Sequence, residues 1–204
     1  MKRKFDLSRE NVFVISDPHF FHENIIKFCG RPFSDKLAMN QKIIEDWNSV
    51  VAEKDIVICL GDFSLHVPDK WIISVLNKLN GRIIFLKGNH DSQKVWNKIA
   101  KLMPGKIELI CDYLEGYFEN ISEKFKVLDV VFCHYPFVTW RGKERGSFHF
   151  FGHVHGNYIG KGRSIEVSLD NRKLFGDFWG PLDIRKVIDY ILEEEALKTT
   201  EVQS

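Results

Sequence analysis

The stretch Arg82-Ile83-Ile84-Phe85-Leu86-Lys87-Gly88-Asn89-His90-Asp91 decides how the rest of the chain is read. Its first half is a short, nearly continuous apolar run, the pattern of a strand buried on both faces of a sheet. Its second half is an abrupt cluster of Asn, His and Asp. Four other runs repeat the arrangement. Residues 11–16 (NVFVIS) lead into Asp17-Pro18-His19, and residues 55–60 (DIVICL) into Gly61-Asp62. Residues 127–133 (VLDVVFC) lead into His134-Tyr135-Pro136, and residues 147–151 (SFHFF) into Gly152-His153-Val154-His155. In open α/β sheets ligands bind beyond the carboxyl ends of the strands, so clusters placed there meet in space although they lie far apart in sequence.

Stretches with helical period separate these runs. Leu37, Ile44, Trp47 and Val51 predict one helix. Ile72, Val75, Leu76 and Leu79 predict a second, with Asp69 as its cap and Gly81 as its stop. Val95, Ile99 and Leu102 predict a third, opened by Ser92 and closed by Pro104-Gly105. Ile184, Val187, Ile188 and Ile191 form a fourth after Pro181, with a polar end expected to fray over residues 196–204. Strand alternating with helix is the signature of an α/β layered domain. The 204 residues show no internal repeat and no Pro/Gly/Ser linker, so a single domain over residues 1–204 is expected.

Composition excludes several classes. Hydrophobic residues at 44% rule out global disorder, and 29 Lys plus Arg against 28 Asp plus Glu leave a net charge of +1, which draws the chain to neither nucleic acid nor anionic lipid. The opening Met1-Lys2-Arg3-Lys4-Phe5-Asp6 has no apolar secretory core, and no stretch is long enough to span a membrane, so a cytoplasmic location is expected. Cys29, Cys59, Cys111 and Cys133 are widely spaced with no C-x-x-C pair, which argues against structural zinc and a disulfide framework.

The clusters differ in weight. By composition alone about 0.5 D-x-H and about one G-D matches arise by chance, against roughly 0.002 for G-N-H-D and roughly 0.02 for G-H-x-H. Asp carboxylate, Asn carbonyl and His imidazole together form a ligand set suited to Mn, Fe, Zn, Ni or Co rather than to a thiolate site. Asp17 and His19, like His153 and His155, are two apart, so on an extended segment each pair points to one face. Seven such ligands exceed the needs of one ion, and two ions sharing a carboxylate, with Asp62 the natural bridge, would use them all.

In this order the blocks D-x-H, G-D, G-N-H-D, H and G-H-x-H resemble the calcineurin-like metallophosphoesterase superfamily. The resemblance runs from Asp17 to His155, and Asn24, Arg31-Pro32-Phe33 and Gly61-Asp62-Phe63 further resemble its small single-domain bacterial and phage members. It implies an α/β fold, the four-layer α/β/β/α sandwich of mixed sheets flanked by helices. The strand runs by themselves also allow a single parallel sheet; the second sheet, fed by residues 107–111 and 164–168, comes from the resemblance. It further implies that Asp17, His19, Asp62 and His155 hold one divalent ion, manganese first among the candidates, and that Asp62, Asn89, His134 and His153 hold the other. His90 would be the catalytic histidine that assists the leaving group while a metal-bridging hydroxide attacks phosphorus. The activity implied is hydrolysis of a phosphate ester, a phosphodiester or nucleotide-like substrate ahead of a phosphomonoester or a nucleic acid, with a non-catalytic binding module as the remote alternative.

Around this set, Arg31 either clamps phosphate or pairs with a carboxylate of the fold. Trp140 offers a face for a base, and Arg141 lies on a basic loop beside it. Asp91 either orients a neighbour of the site or caps the helix that follows. His22, His66 and His149 are read as ordinary surface or core histidines, with His149 facing the opposite side of its sheet.

Overall fold

A computed structural model describes residues 1–121 and 126–201. Ten strands in these residues form two five-stranded sheets. The first sheet has the order β10(Leu182–Asp183), β2(Val12–Ile15), β3(Ile56–Cys59), β4(Arg82–Leu86), β5(Ile107–Cys111), parallel except for the β10 edge. The second has the order β1(Lys2–Asp6), β6(Tyr113–Glu119), β7(Val127–Cys133), β8(Phe148–Phe151), β9(Ser164–Glu166); only its β6–β7 pair is antiparallel. This is the mixed α/β, two-sheet architecture expected of the calcineurin-like fold.

The uninterrupted apolar runs follow from burial on both faces. In β2, Phe13 and Ile15 face helices α1(Glu23–Phe28), α2(Lys36–Val50), α3(Asp69–Leu76) and α4(Gln93–Leu102), in a core with Met39, Trp47, Leu76 and Trp96. Val12 and Val14 point the other way, into a core between the sheets built with Phe5, Phe118, Phe132, Phe148 and Phe150. A further helix, α5(Ile184–Glu201), inserts Ile184, Val187, Ile188 and Ile191 into that same inter-sheet core. Residues 202–204 of the tail expected to fray lie outside the described residues.

Several elements depart from the sequence reading. Ile107–Cys111 pairs with β4 and so extends the first sheet rather than the second, because its chain returns from α4 on that sheet's own side. The second sheet instead recruits β7 and β8, two of the five marker runs, together with β1 and β6, which were not anticipated. Leu37 and Leu102 are exposed and contribute nothing to the core. Asp69 lies inside the first turn of α3, with Pro68 at the cap, while Asp35 caps α2 by accepting from Leu37 N and Ala38 N at 2.8 and 2.9 Å.

Candidate metal centre

The five marker strands deliver their polar ends to one place. β2, β3 and β4 arrive from the first sheet and β7 and β8 from the second, and short backbone bonds lace the ends together: Asp17 N to Gly61 O (3.0 Å), His19 N to Asp62 O (3.1 Å) and Gly152 N to His134 O (2.9 Å). Asp17, His19, Asp62, His153 and His155 all have φ between 49 and 75°. Such left-handed conformations cost non-glycine residues about 1–3 kcal/mol each and gather where the surrounding structure over-determines them for function. They also replace the extended reading of the D-x-H and H-x-H pairs: His153 and His155 turn to different groups.

Two groups of ligand atoms result, Asp17–His19–His155 and Asp62–His134–His153, each with its atoms within 4.8 Å of one another. They adjoin through Asp62, whose Oδ2 lies 3.8 Å from His19 Nε2 and 3.5 Å from His134 Nε2. Asn89 Oδ1 stands 3.0 Å from His134 Nε2, and His90 Nε2 stands 3.8 Å from Asp62 Oδ2. The seven residues singled out as ligands thus come together, with His90 at their edge. His90 keeps 37% of its side chain exposed, whereas the side chains of Asp17, His19, Asp62 and His134 are at most 1% exposed.

The donors fit cations. Asp17 Oδ1 and His19 Nε2 are buried, lack any hydrogen-bond partner and face each other at 3.9 Å. Burial pushes the Asp17 carboxyl above its usual range and holds His19 neutral, down to about 2. A buried, unpaired carboxylate oxygen opposite an imidazole lone pair is costly unless a cation lies between them. At the neighbouring group, His134 Nδ1 is 2.8 Å from Leu60 O, so a neutral ring donates there and turns a lone pair toward Asn89 Oδ1 and Asp62 Oδ2. Oxygen and imidazole donors of this kind suit divalent transition ions.

The glycines in the motifs leave room for this arrangement. A Cβ on Gly88 would overlap Asp62 Oδ1, one on Gly152 would overlap Ser16 Oγ and Asp17 Oδ2, and one on Gly61 would overlap Gly88 N. Asp91 does not cap α4 with its side chain. Its Oδ2 accepts from Asp62 N (2.6 Å) and Gly88 N (2.9 Å) and its Oδ1 from Trp96 Nε1 (3.2 Å), which ties the G-D turn to the G-N-H-D turn, and burial lifts its carboxyl to about 6.

The outlying candidates lie elsewhere. All five Arg31 N–H groups are engaged: Nε and Nη2 with Asp170 (2.8 and 2.7 Å), Nη2 also with Asp17 O, and Nη1 with Pro18 O and Met39 Sδ. Arg31 therefore pairs with a carboxylate and holds the D-x-H turn, with no donor left for phosphate. Arg141 binds Glu115 at 2.7 Å beside a cavity of about 440 Å³ on the outer face of the second sheet, lined by Lys2, Arg3 and Lys4. Trp140 donates Nε1 to Ser147 O and carries the Lys143 ammonium 4.9 Å from its ring centroid, so it is packed rather than open to a base. His149 faces away from the centre, stacked on Phe137.

The sequence reading missed Asp170, whose Oδ2 lies 2.7 Å from His155 Nδ1. Asp170 lies two residues beyond the 164–168 run, where the strand-end pattern places polar groups, but a lone Asp there carries no weight by itself. The reading also undervalued His22, whose Nδ1 is 3.2 Å from His19 Nδ1, and Tyr135, 43% exposed with its ring 4.8 Å from that of His153. Cys29 joins His155 and Asp170 in a third group of clustered donor atoms, although no thiol was counted among the ligands.

Comparison with known proteins gives the family and the fold. The chain is 49% identical over 86 residues to an uncharacterized protein of Methanocaldococcus jannaschii, a match covering 42% of this chain and 49% of that protein, about half its length. It is 25% identical over 221 residues to the gene 66 protein of Mycobacterium phage L5, covering 93% and 99% of the two chains. A protein of unknown function from Aquifex aeolicus has the same fold, with a TM-score of 0.63 at 24% identity over 89% of this chain and 99% of that one. The model of the calcineurin-like phosphoesterases matches residues 11–200. With ligand blocks, two-sheet architecture and family match in agreement, the chain belongs to the calcineurin-like phosphoesterases.

Proposed function

We propose that the protein is a dinuclear metal-dependent hydrolase of phosphate esters, acting on a phosphodiester or nucleotide-like substrate. The observation that carries this reading is the adjacency of two largely buried donor groups around Asp62, with the exposed imidazole of His90 at their edge. Asp17, His19, Asp62 and His155 would hold one divalent ion and Asp62, Asn89, His134 and His153 the other. Ions so placed would acidify water enough to supply a nucleophile at neutral pH and would neutralise charge on the phosphate.

The remaining work falls to the chain itself. The His90 backbone N–H donates to Asp62 Oδ1 at 2.9 Å, which fixes the residue while leaving its ring at the solvent edge. From there Nε2 can deliver a proton to a leaving oxygen. Asp62, anchored through its own N–H to Asp91, holds the two donor groups in register. With Arg31 fully engaged and Arg141 paired on the outer face of the second sheet, neither arginine singled out by the sequence is available to a second phosphate charge, which favours a singly charged diester over a monoester dianion.

Hydrolysis of bis(p-nitrophenyl) phosphate and of p-nitrophenyl phosphate, with and without added manganese(II), tests the reading. The expected result is metal-stimulated turnover that favours the diester and falls about 10²–10⁴-fold in His90→Ala, with bound metal unchanged. Equal rates for wild type and His90→Ala on both esters would remove the assignment.

A further inference from the structure

We infer that Asp170 is a positioning residue that makes the two ion sites unequal, by backing His155 with a buried carboxylate while the corresponding histidine of the second site is backed only by a peptide carbonyl. The inference rests on the dinuclear reading above and extends it to a residue outside the family's ligand blocks.

Asp170 follows β9, beyond the last of the motif strands, and only 4% of its side chain is exposed. Its Oδ2 accepts from His155 Nδ1 at 2.7 Å and from Arg31 Nη2 at 2.7 Å, and its Oδ1 accepts from Arg31 Nε at 2.8 Å. With Nδ1 committed to Asp170, Nε2 faces Asp17 Oδ1 at 3.7 Å and is the nitrogen whose lone pair a neutral ring would offer an ion. Asp170 thereby sets the orientation of the ring. Arg31 continues the chain on the far side by donating to the carbonyl oxygens of Asp17 and Pro18. One buried ion pair thus fixes two ligand-bearing turns, after β2 and after β8, that belong to different sheets.

The second site has no such support at its best-placed histidine. His134 Nδ1 meets the peptide oxygen of Leu60 at 2.8 Å. A carboxylate behind a ligating imidazole raises its basicity more than a neutral carbonyl does, and loss of such a partner typically lowers metal affinity about 10–100-fold. The ion held by Asp17, His19 and His155 is accordingly the more tightly bound of the two, and it depends on Asp170.

The experiment titrates manganese(II) into chelator-stripped protein, with ions counted by native mass spectrometry and free metal read by electron paramagnetic resonance. Wild type is expected to take two ions in two separable steps. Asp170→Asn is expected to weaken the tighter step about 10–100-fold and to leave the weaker one unchanged. That unchanged step shows that the fold is intact. Because Asp170→Asn strands the Arg31 cation, the double variant Arg31→Met/Asp170→Asn is measured beside it and should show the same selective loss. Unaltered binding in both variants, or equal weakening of both steps, overturns the role of Asp170 while leaving the dinuclear reading in place. Failure of wild type to bind manganese overturns both.

Discussion

At the scale of single residues the centre depends on a few atoms with no substitute. Asp62 uses Oδ1 to hold the His90 backbone and turns Oδ2 to His19, His90 and His134. Asp62→Asn is therefore expected to be the most damaging ligand change. It should lower the affinity for both ions and cut turnover by at least about 10²-fold, whereas His90→Ala leaves metal content alone. Elemental analysis of the two purified variants separates these outcomes; full ion content in Asp62→Asn would contradict the shared-carboxylate role. Of the residues gathered at the centre, Asn89, His90, His153 and His155 were legible from rare tetrads, and Asp17, His19, Asp62 and His134 only from the order of the blocks along the chain. Asp170 was not, since a single Asp followed by Asn carries no pattern until His155 Nδ1 is found beside it. Arg31 shows the converse: its type fits a phosphate clamp, and only its burial and its five acceptor atoms show where those donors go.

At the scale of elements, what matters is how closely strand ends approach. Gly152 ends β8 against Ser16 and Asp17 at the end of β2, so a methyl group there displaces a ligand or a strand. Gly152→Ala should lose about 1–3 kcal/mol of stability, and its ion affinity should fall as well because the crowded atom is Asp17 Oδ2. Denaturant unfolding together with manganese titration checks both parts; wild-type values for the two would show that the approach is looser than described. Strands were legible as apolar runs because both of their faces are covered. Which sheet each run joins was not, because pairing partners are chosen across space: Ile107–Cys111 and Val127–Cys133 carry similar apolar signals and go to different sheets. The turns after the strands were also misjudged, since left-handed backbone at Asp17, His19, Asp62, His153 and His155 is imposed by the laced strand ends rather than by local preference.

Across the whole molecule, two cores in series support the centre. Phe132 and Phe150 meet edge-to-face at 5.6 Å in the inter-sheet core, on β7 and β8, the strands that lead to His134 and His153. Phe132→Ala should cost about 3–5 kcal/mol, seen as a lower melting temperature; a loss under 1 kcal/mol would mean that the sheets can close over the gap. On the outer face of the second sheet, His149 receives the Phe137 N–H on Nε2 and donates Nδ1–H toward Val131 O, and burial pulls its pKa down to about 4. Its unfolded value is near 6.5, so between these limits the unfolded chain binds the extra proton. The contribution of neutral His149 is complete above pH 6.5 and is lost as pH falls toward 4. Relative to wild type, His149→Gln should lose less stability on acidification through that window, by up to about 1.4 kcal/mol per pH unit; identical pH slopes would show that His149 titrates normally in the folded protein.

The sequence by itself determined which donor types gather at the centre, because that is a matter of which atoms the residues of the strand-end blocks carry. It also determined that strands precede those blocks, since burial on two faces writes an unbroken apolar run. The tertiary structure alone decided which sheet each strand enters and that Asp170 and Arg31 stand behind the centre. Each of these is a contact between residues remote in sequence, at distances of a few ångströms that no local pattern encodes.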